Sequence, residues 1–192
     1  MGIAEYYDSV AQYWDDDLPE EKFARHVAAM LSVPRGGCYV LDVGCGSGAM
    51  LLELADCGAS DIQGIDVSGK MVELARKRCA FDPRISVDQK DFLSHIVTGY
   101  DVMIAFNSYH HFPNPEEFLY RAHSLLLNGG RLTVAFPYDR DGTNTRSGIL
   151  PSGVTRQIFS AEKEVSLYWD KFFKVDCICD NEWIYLISGL SR

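Results

Sequence analysis

The sequence predicts an α/β fold of three layers: a mostly parallel sheet with helices on both faces, closed at its far end by an antiparallel hairpin. Three observations carry this. From residue 39 onward, short β-branched runs alternate with longer stretches of 3.6-residue periodicity. Strand–helix–strand alternation implies parallel strands, because a crossover helix returns the chain to the same end of the sheet. The last two strand-like runs are joined by only three residues, too few for a crossover, so one of them runs antiparallel.

Taken in order, two helices precede the sheet. Ala4, Tyr7, Ala11 and Trp14 recur at helical spacing, as do Phe23, Val27 and Met30, with Asp16, Asp17 and Pro19 between the two sets. Strands are predicted at 39–43, 61–66, 85–89, 102–106 and 131–136, and helices at 49–57, 69–80 and 115–127. The last helix has a clear start and stop. Asn114 is placed to cap it, Pro115 fits its first turn, Glu117 completes a capping box, and Gly129 follows as a C-terminal glycine. The terminal hairpin uses 171–179 and 183–190, joined at Asp180, Asn181 and Glu182, which brings the strands to seven.

Composition narrows the function classes. Of 192 residues, 47% are apolar and 12% aromatic, enough for a packed interior. The formal charge of −9 argues against a nonspecific nucleic-acid binder, since phosphate backbones are polyanions. The Arg76, Lys77 and Arg78 cluster reads as the solvated face of a helix. No apolar run reaches the ~18 residues of a membrane span, and the acidic, aromatic start does not read as a secretory signal. The six cysteines show neither CxxC nor zinc spacing, so they are expected to be reduced structural thiols in a cytoplasmic protein.

The chemistry concentrates in LDVGCGSG, residues 41–48, where a buried strand enters a glycine loop and then a helix. Glycines at 44, 46 and 48 permit a tight turn and let backbone N–H groups approach a ligand. Alone, this loop leaves hydride transfer and methyl transfer equally open, because Gly44, Gly46 and Ala49 also satisfy the dinucleotide fingerprint. Asp66, ending the second strand, suits ribose hydroxyls in either case. Three features separate the two. Asp42, just before the loop, would repel a pyrophosphate but suits a cationic amino-acid ligand. Asp91 and Phe92, after the third strand, offer an acceptor for an adenine amino group and a ring to pack near it. LLLNGGRLTVAF, residues 125–136, closes the fourth helix and opens the fifth strand.

Together these residues resemble the class I S-adenosylmethionine-dependent methyltransferase family, from about residue 6 to residue 189. The opening YYDSVAQYWDD is similar to the first helix of its small-molecule members, including quinone-biosynthesis methyltransferases. The resemblance implies a Rossmann-like three-layer sandwich whose seventh strand inserts antiparallel between the fifth and sixth. It implies a single domain over 1–192: a helical cap at 1–35, a cofactor-binding core at 36–136, a substrate-side insert and helix at 137–170, and the hairpin at 171–192. It further implies that Gly44, Cys45 and Gly46 surround the methionine part of S-adenosylmethionine, with Asp42 at its ammonium. Asp66 would take the ribose hydroxyls, Val67 and Met71 would line the adenosine pocket, and Asp91 and Phe92 would hold adenine. Phe106 and Asn107 would border the sulfonium, with Tyr7, Tyr13 and Trp14 closing over the site.

The chain departs from family patterns at two places. Asn128 precedes the glycine pair where Lys-Pro usually stands. Asn107-Ser108-Tyr109-His110 replaces the Asn-Pro-Pro-Tyr or Asp-Pro-Pro-Tyr motif, which counts against methylation of base or glutamine amino groups. The sulfonium is a strong electrophile, so alignment and desolvation suffice and neither metal nor covalent catalysis is required. No catalytic residue is assigned; His110, Asn107 and Tyr7 are the candidates, with one histidine of the His110–His111 pair as the possible base. His110 and His111, adjacent on an extended segment, would point opposite ways, so only one would face the pocket and no metal site is expected. In the 137–159 insert, Tyr138, Arg140, Arg146 and Arg156 offer either a clamp for an anionic acceptor or solvated loop charges. The acceptor is expected to be a small molecule, and the oligomeric state, monomer or homodimer, is open. The alternatives are a cofactor-binding protein without turnover and an NAD(P)-dependent oxidoreductase.

Overall fold

The computed structural model describes residues 1–14, 18–34 and 36–192. The proposed break at Asp16 and Asp17 lies outside the described residues. Helix α1 (Ile3–Val10) runs into a 3₁₀ turn (Ala11–Tyr13), and α2 is Pro19–Ser32. The sheet core follows as β1 (Tyr39–Val43), α3 (Ala49–Asp56), β2 (Asp61–Asp66), α4 (Gly69–Cys79), β3 (Ile85–Gln89), β4 (Tyr100–Phe106), α5 (Pro115–Leu125) and β5 (Leu126–Phe136). Then come α6 (Arg140–Ser147), α7 (Ala161–Leu167), β6 (Phe173–Asn181) and β7 (Ile184–Ser191).

The seven strands lie in the order β3-β2-β1-β4-β5-β7-β6. β1 pairs in parallel with both β2 and β4, so strand order reverses there and opens a crevice beyond the strands' C-terminal ends. β7 inserts antiparallel between β5 and β6, aligning Phe136 with Tyr185 and Val134 with Ile187. This is the Rossmann-like sandwich with its antiparallel hairpin.

Period-2 alternation along the central strands builds two cores. Leu41, Val43, Met103 and Ala105 face the layer holding Phe118, Leu119 and Trp169, while Val40, Val102 and Ile104 face Ala28, Leu51 and Val72. All six cysteines are free thiols, and Cys177 and Cys179 pack partly buried against the second layer.

Several boundaries differ from those read in the sequence. β4 begins at Tyr100, and β5 follows α5 directly at Leu126, which turns extended (ψ 151°) and pairs with Tyr100. A register shift between Tyr100 and Val102 absorbs the intervening residues. Gly129 (φ 76°) therefore serves this irregular stretch rather than ending the helix. Asn114 does cap α5, accepting from the Glu117 N–H at 3.3 Å. On α2 two of the three predicted stripe residues face outward, Phe23 at 53% and Met30 at 62% exposed, and Val27 packs half-buried on the core, while Ala24, Ala28 and Ala29 are fully buried. Small side chains let this helix approach the sheet closely, so tertiary packing selects the alanine face. Among the described residues, no helix is long and apolar enough to cross a membrane.

Candidate functional site

A cleft of about 250 Å³ opens at the switch point, walled by the ends of β1, β2 and β4 and roofed by α1 and α2. Its floor is the glycine loop. Gly44 has φ +73°, and a Cβ there would stand 2.6 Å from the Ser108 Cβ, so both conformation and space require glycine. This tightness lets the Gly44 and Cys45 N–H groups donate to the Ile65 carbonyl at 2.9 and 3.0 Å, tying the loop to β2. Gly46 also has positive φ (+52°), but a Cβ there would meet nothing within 4 Å. Its open side is room for a ligand to lie against the backbone.

Two carboxylates govern the electrostatics. Asp66 accepts from the Gly46 N–H at 2.9 Å and the Ser68 N–H at 2.8 Å. Burial raises its pKa, and these bonds work in the opposite direction. Asp42 is 1% exposed, and its Oδ2 has no hydrogen-bond partner. Burial first, then the nearby Asp66 charge, pushes the Asp42 carboxyl up to about 8. A buried carboxyl with one oxygen unpartnered, beside a second carboxylate, is costly to ionise alone and complementary to a cation.

The other predicted residues sort as follows. Cys45, Val67, Met71, Phe106 and Asn107 line the cleft. Asn107 (φ 52°) is the one non-glycine residue at positive φ among the described residues, and its N–H donates to the Ala135 carbonyl at 2.8 Å. Asp91 borders the cleft while its Oδ1 accepts from the Leu93 N–H at 3.0 Å. Phe92 is 3% exposed, with Phe118 at 4.9 Å and Phe112 at 5.6 Å between centroids, so it is a core residue whose edge reaches the cleft. Tyr7 and Trp14 line the roof, but Tyr13 is 80% exposed and does not. The chain leaves α-helical geometry at Ala11, and the tighter 3₁₀ turn rotates the following side chains off the expected face.

The histidine pair is corrected too. Tyr109–His111 is a 3₁₀ turn, not an extended segment, and the two rings stack with centroids 4.0 Å apart. His111 faces the cleft, whereas His110 packs against Phe136 at 5.2 Å. His111 Nδ1 lies 3.0 Å from the Val154 carbonyl, which can only accept, so Nδ1 carries the proton. Nε2 is thereby left to accept from the Tyr7 hydroxyl at 2.8 Å. Burial pushes the His111 imidazole down to about 4 and the Tyr7 hydroxyl upward.

Arg25 and Glu21 of α2 also line the cleft, and sequence reasoning passed over them. The available signal was an arginine flanking the alanine face of a helix; Arg25 is 5% exposed. The insert's arginines take other partners. Arg156 pairs with the fully buried Glu164 at 2.9 Å and lies over the Tyr109 ring, Arg140 bonds Asp141, and Arg146 lies over Tyr138. None of the three lines the cleft.

Residues 40–130 match a family profile described as a methyltransferase domain. Among curated relatives, a 27-O-demethylrifamycin SV methyltransferase from Amycolatopsis mediterranei is 33% identical over 64% of this chain and 48% of its own length. A ubiquinone biosynthesis O-methyltransferase from Xanthomonas campestris is 29% identical, over 65% and 55%. A tRNA U34 carboxymethyltransferase from Colwellia psychrerythraea is also 29% identical, over 63% and 37%. The chain thus spans about half the length of the first two and less of the third. In fold it is similar to the N-methyltransferase NodS of Bradyrhizobium japonicum, solved with S-adenosyl-L-homocysteine. That likeness has a TM-score of 0.79 and 18% identity, over 99% of this chain and 98% of that one.

Proposed function

We propose that this chain, whose residues 40–130 match the methyltransferase-domain family, binds S-adenosylmethionine in this cleft and methylates a small-molecule acceptor. The observation that carries the reading is Asp42. A buried carboxyl with an unpartnered oxygen, beside a glycine loop open at Gly46, fits an amino-acid ammonium, which draws off its proton, whereas a pyrophosphate beside it would meet either an uncharged acid or a like charge. This disfavours the nicotinamide alternative. Asp42 holds the ammonium, Arg25 from the roof takes the α-carboxylate, and Gly44, Cys45 and Gly46 lie along the methionine chain. Asp66 receives the ribose hydroxyls, Val67 and Met71 pack on the adenosine, and Asp91 and Phe92 meet the adenine.

When bound, the sulfonium supplies an activated methyl group. The chain's part is to orient it and exclude water. Phe106 and Asn107 border the transfer position, and the roof residues Ile3, Tyr7 and Trp14 keep solvent away. A small acceptor is supported by the relatives named for rifamycin and ubiquinone chemistry, by the −9 charge and by the aromatic lining. The tRNA-directed relative is the counterweight. Free thiols suit a reducing compartment, the cytoplasm.

Thermal unfolding tests the cofactor reading. S-adenosylhomocysteine at 100 times its dissociation constant should stabilise the protein by ~2.7 kcal/mol, with no shift from NAD. A shift from NAD alone would overturn it. Labelled-methyl transfer to a metabolite extract and to bulk tRNA would then separate the acceptor classes. Binding without transfer to either would favour a protein that retains the pocket but not turnover.

A further inference from the structure

The acceptor end of the cleft has a chemistry of its own. Four aromatic side chains, Tyr7, Trp14, Phe106 and Phe112, line the cleft together with His111. Within them His111 Nε2 presents a neutral hydrogen-bond acceptor whose tautomer is fixed from behind by the Val154 carbonyl. That acceptor is already satisfied, by a phenol. The Tyr7 hydroxyl donates to it at 2.8 Å, with the two rings edge to face at 5.3 Å. Tyr7 comes from α1, a helix with no buried residue, held to the body partly by Asp8, which accepts from the Ser68 hydroxyl and the Lys70 N–H. An element tied down by polar contacts yields its place at small cost.

Resting on the methyltransferase reading, we propose that the acceptor is an aromatic hydroxyl compound, that its hydroxyl replaces that of Tyr7 on His111 Nε2, and that His111 is the catalytic residue that takes its proton. In the step, the acceptor O–H bond breaks and its proton passes to Nε2. The O–CH₃ bond forms as the S–CH₃ bond breaks, and that electron pair stays on sulfur. The imidazolium then returns its proton to solvent. Burial keeps His111 neutral in the physiological range, which is the form the step requires.

Two probes that differ by one methyl group test this on protein saturated with S-adenosylhomocysteine. Equilibrium dialysis should show 2-naphthol binding at least about 10-fold more tightly than 2-methoxynaphthalene, which cannot donate to Nε2. In His111→Phe that preference should fall to within about threefold, through weaker naphthol binding. In Tyr7→Phe naphthol should bind several-fold more tightly than in wild type, because its competitor is gone; a merely structural Tyr7 would give the opposite. With S-adenosylmethionine, His111→Phe should lower kcat for 2-naphthol by ~100-fold or more with KM for the cofactor unchanged. Naphthol that fails to bind or to be methylated in wild type overturns the acceptor class. A preference or a kcat that survives in His111→Phe overturns the role of His111. Melting curves and homocysteine-product affinity within about threefold of wild type confirm that each variant is folded and loaded. Loss of cofactor binding by the wild type itself would count against the methyltransferase reading instead.

Discussion

Replacing Asp42 by Asn should stabilise the unliganded protein and weaken its hold on cofactor, and the size of the first effect should depend on pH. The native carboxyl keeps its proton up to about pH 8, whereas the unfolded chain releases it near 3.8, the ordinary value for an aspartate. Between these values the unfolded state binds fewer protons, so rising pH favours unfolding. The slope from this one group is on the order of 1 kcal/mol per pH unit, or a few kcal/mol between pH 5 and pH 7. Asn cannot titrate, so this slope disappears in the variant. Urea denaturation of both proteins at pH 5, 6, 7 and 8 measures the difference directly, since all other groups are common to the pair. The variant's advantage should grow by on the order of 1 kcal/mol at each step up to pH 8, levelling off only above it. Cofactor should show the reverse. An ammonium needs the carboxylate, so Asn should weaken S-adenosylhomocysteine binding by roughly 10-fold to 100-fold. Binding to wild type at pH 7 should release most of a proton, visible as a buffer-dependent calorimetric enthalpy. A stability difference that stays flat from pH 5 to 8, together with no proton release, would refute the argument that Asp42 is held protonated until a cation arrives.

Other substitutions divide the site into scaffold and contact. Gly44→Ala forces a Cβ to 2.6 Å from Ser108 in a left-handed conformation, and should cost several kcal/mol in denaturant unfolding. Gly46→Ala meets open space, so it should cost only about 1 kcal/mol of stability while reducing cofactor affinity much more, as calorimetry would show. Asp66→Ala should weaken S-adenosylhomocysteine binding by about 10-fold to 100-fold and, because Asp66 accepts from two backbone N–H groups, also destabilise the fold by ~1–3 kcal/mol. An unchanged affinity in calorimetry would remove Asp66 from the site. Glu164→Ala leaves Arg156 unpaired in the interior and should cost ~3–5 kcal/mol in urea unfolding, with cofactor affinity of the folded fraction unaltered.

What the sequence determined was local and periodic. β1, β2 and β3 fall within the bounds that alternation and β-branching mark, because each pairs along its whole length with a neighbour of the same register. The glycine loop and Asp66 were legible for a similar reason: a strand that must turn at once into a helix needs small residues at that spot, and the next strand ends one sheet position away. Side-chain direction outside regular elements was not legible. His111 rather than His110 faces the cleft because distant chain segments fix the turn that carries them. The Ser108 hydroxyl donates to the Val43 carbonyl at 2.6 Å, and the Arg156 N–H donates to the His110 carbonyl at 2.8 Å. Tyr13 leaves the site through one residue of altered helical pitch, and Arg25 enters it because alanines elsewhere on α2 bring that helix down onto the sheet. The unpartnered Oδ2 of Asp42 depends on every neighbour around it at once. Contacts that join residues far apart in the chain have no period to read, so only the packed tertiary structure decides them.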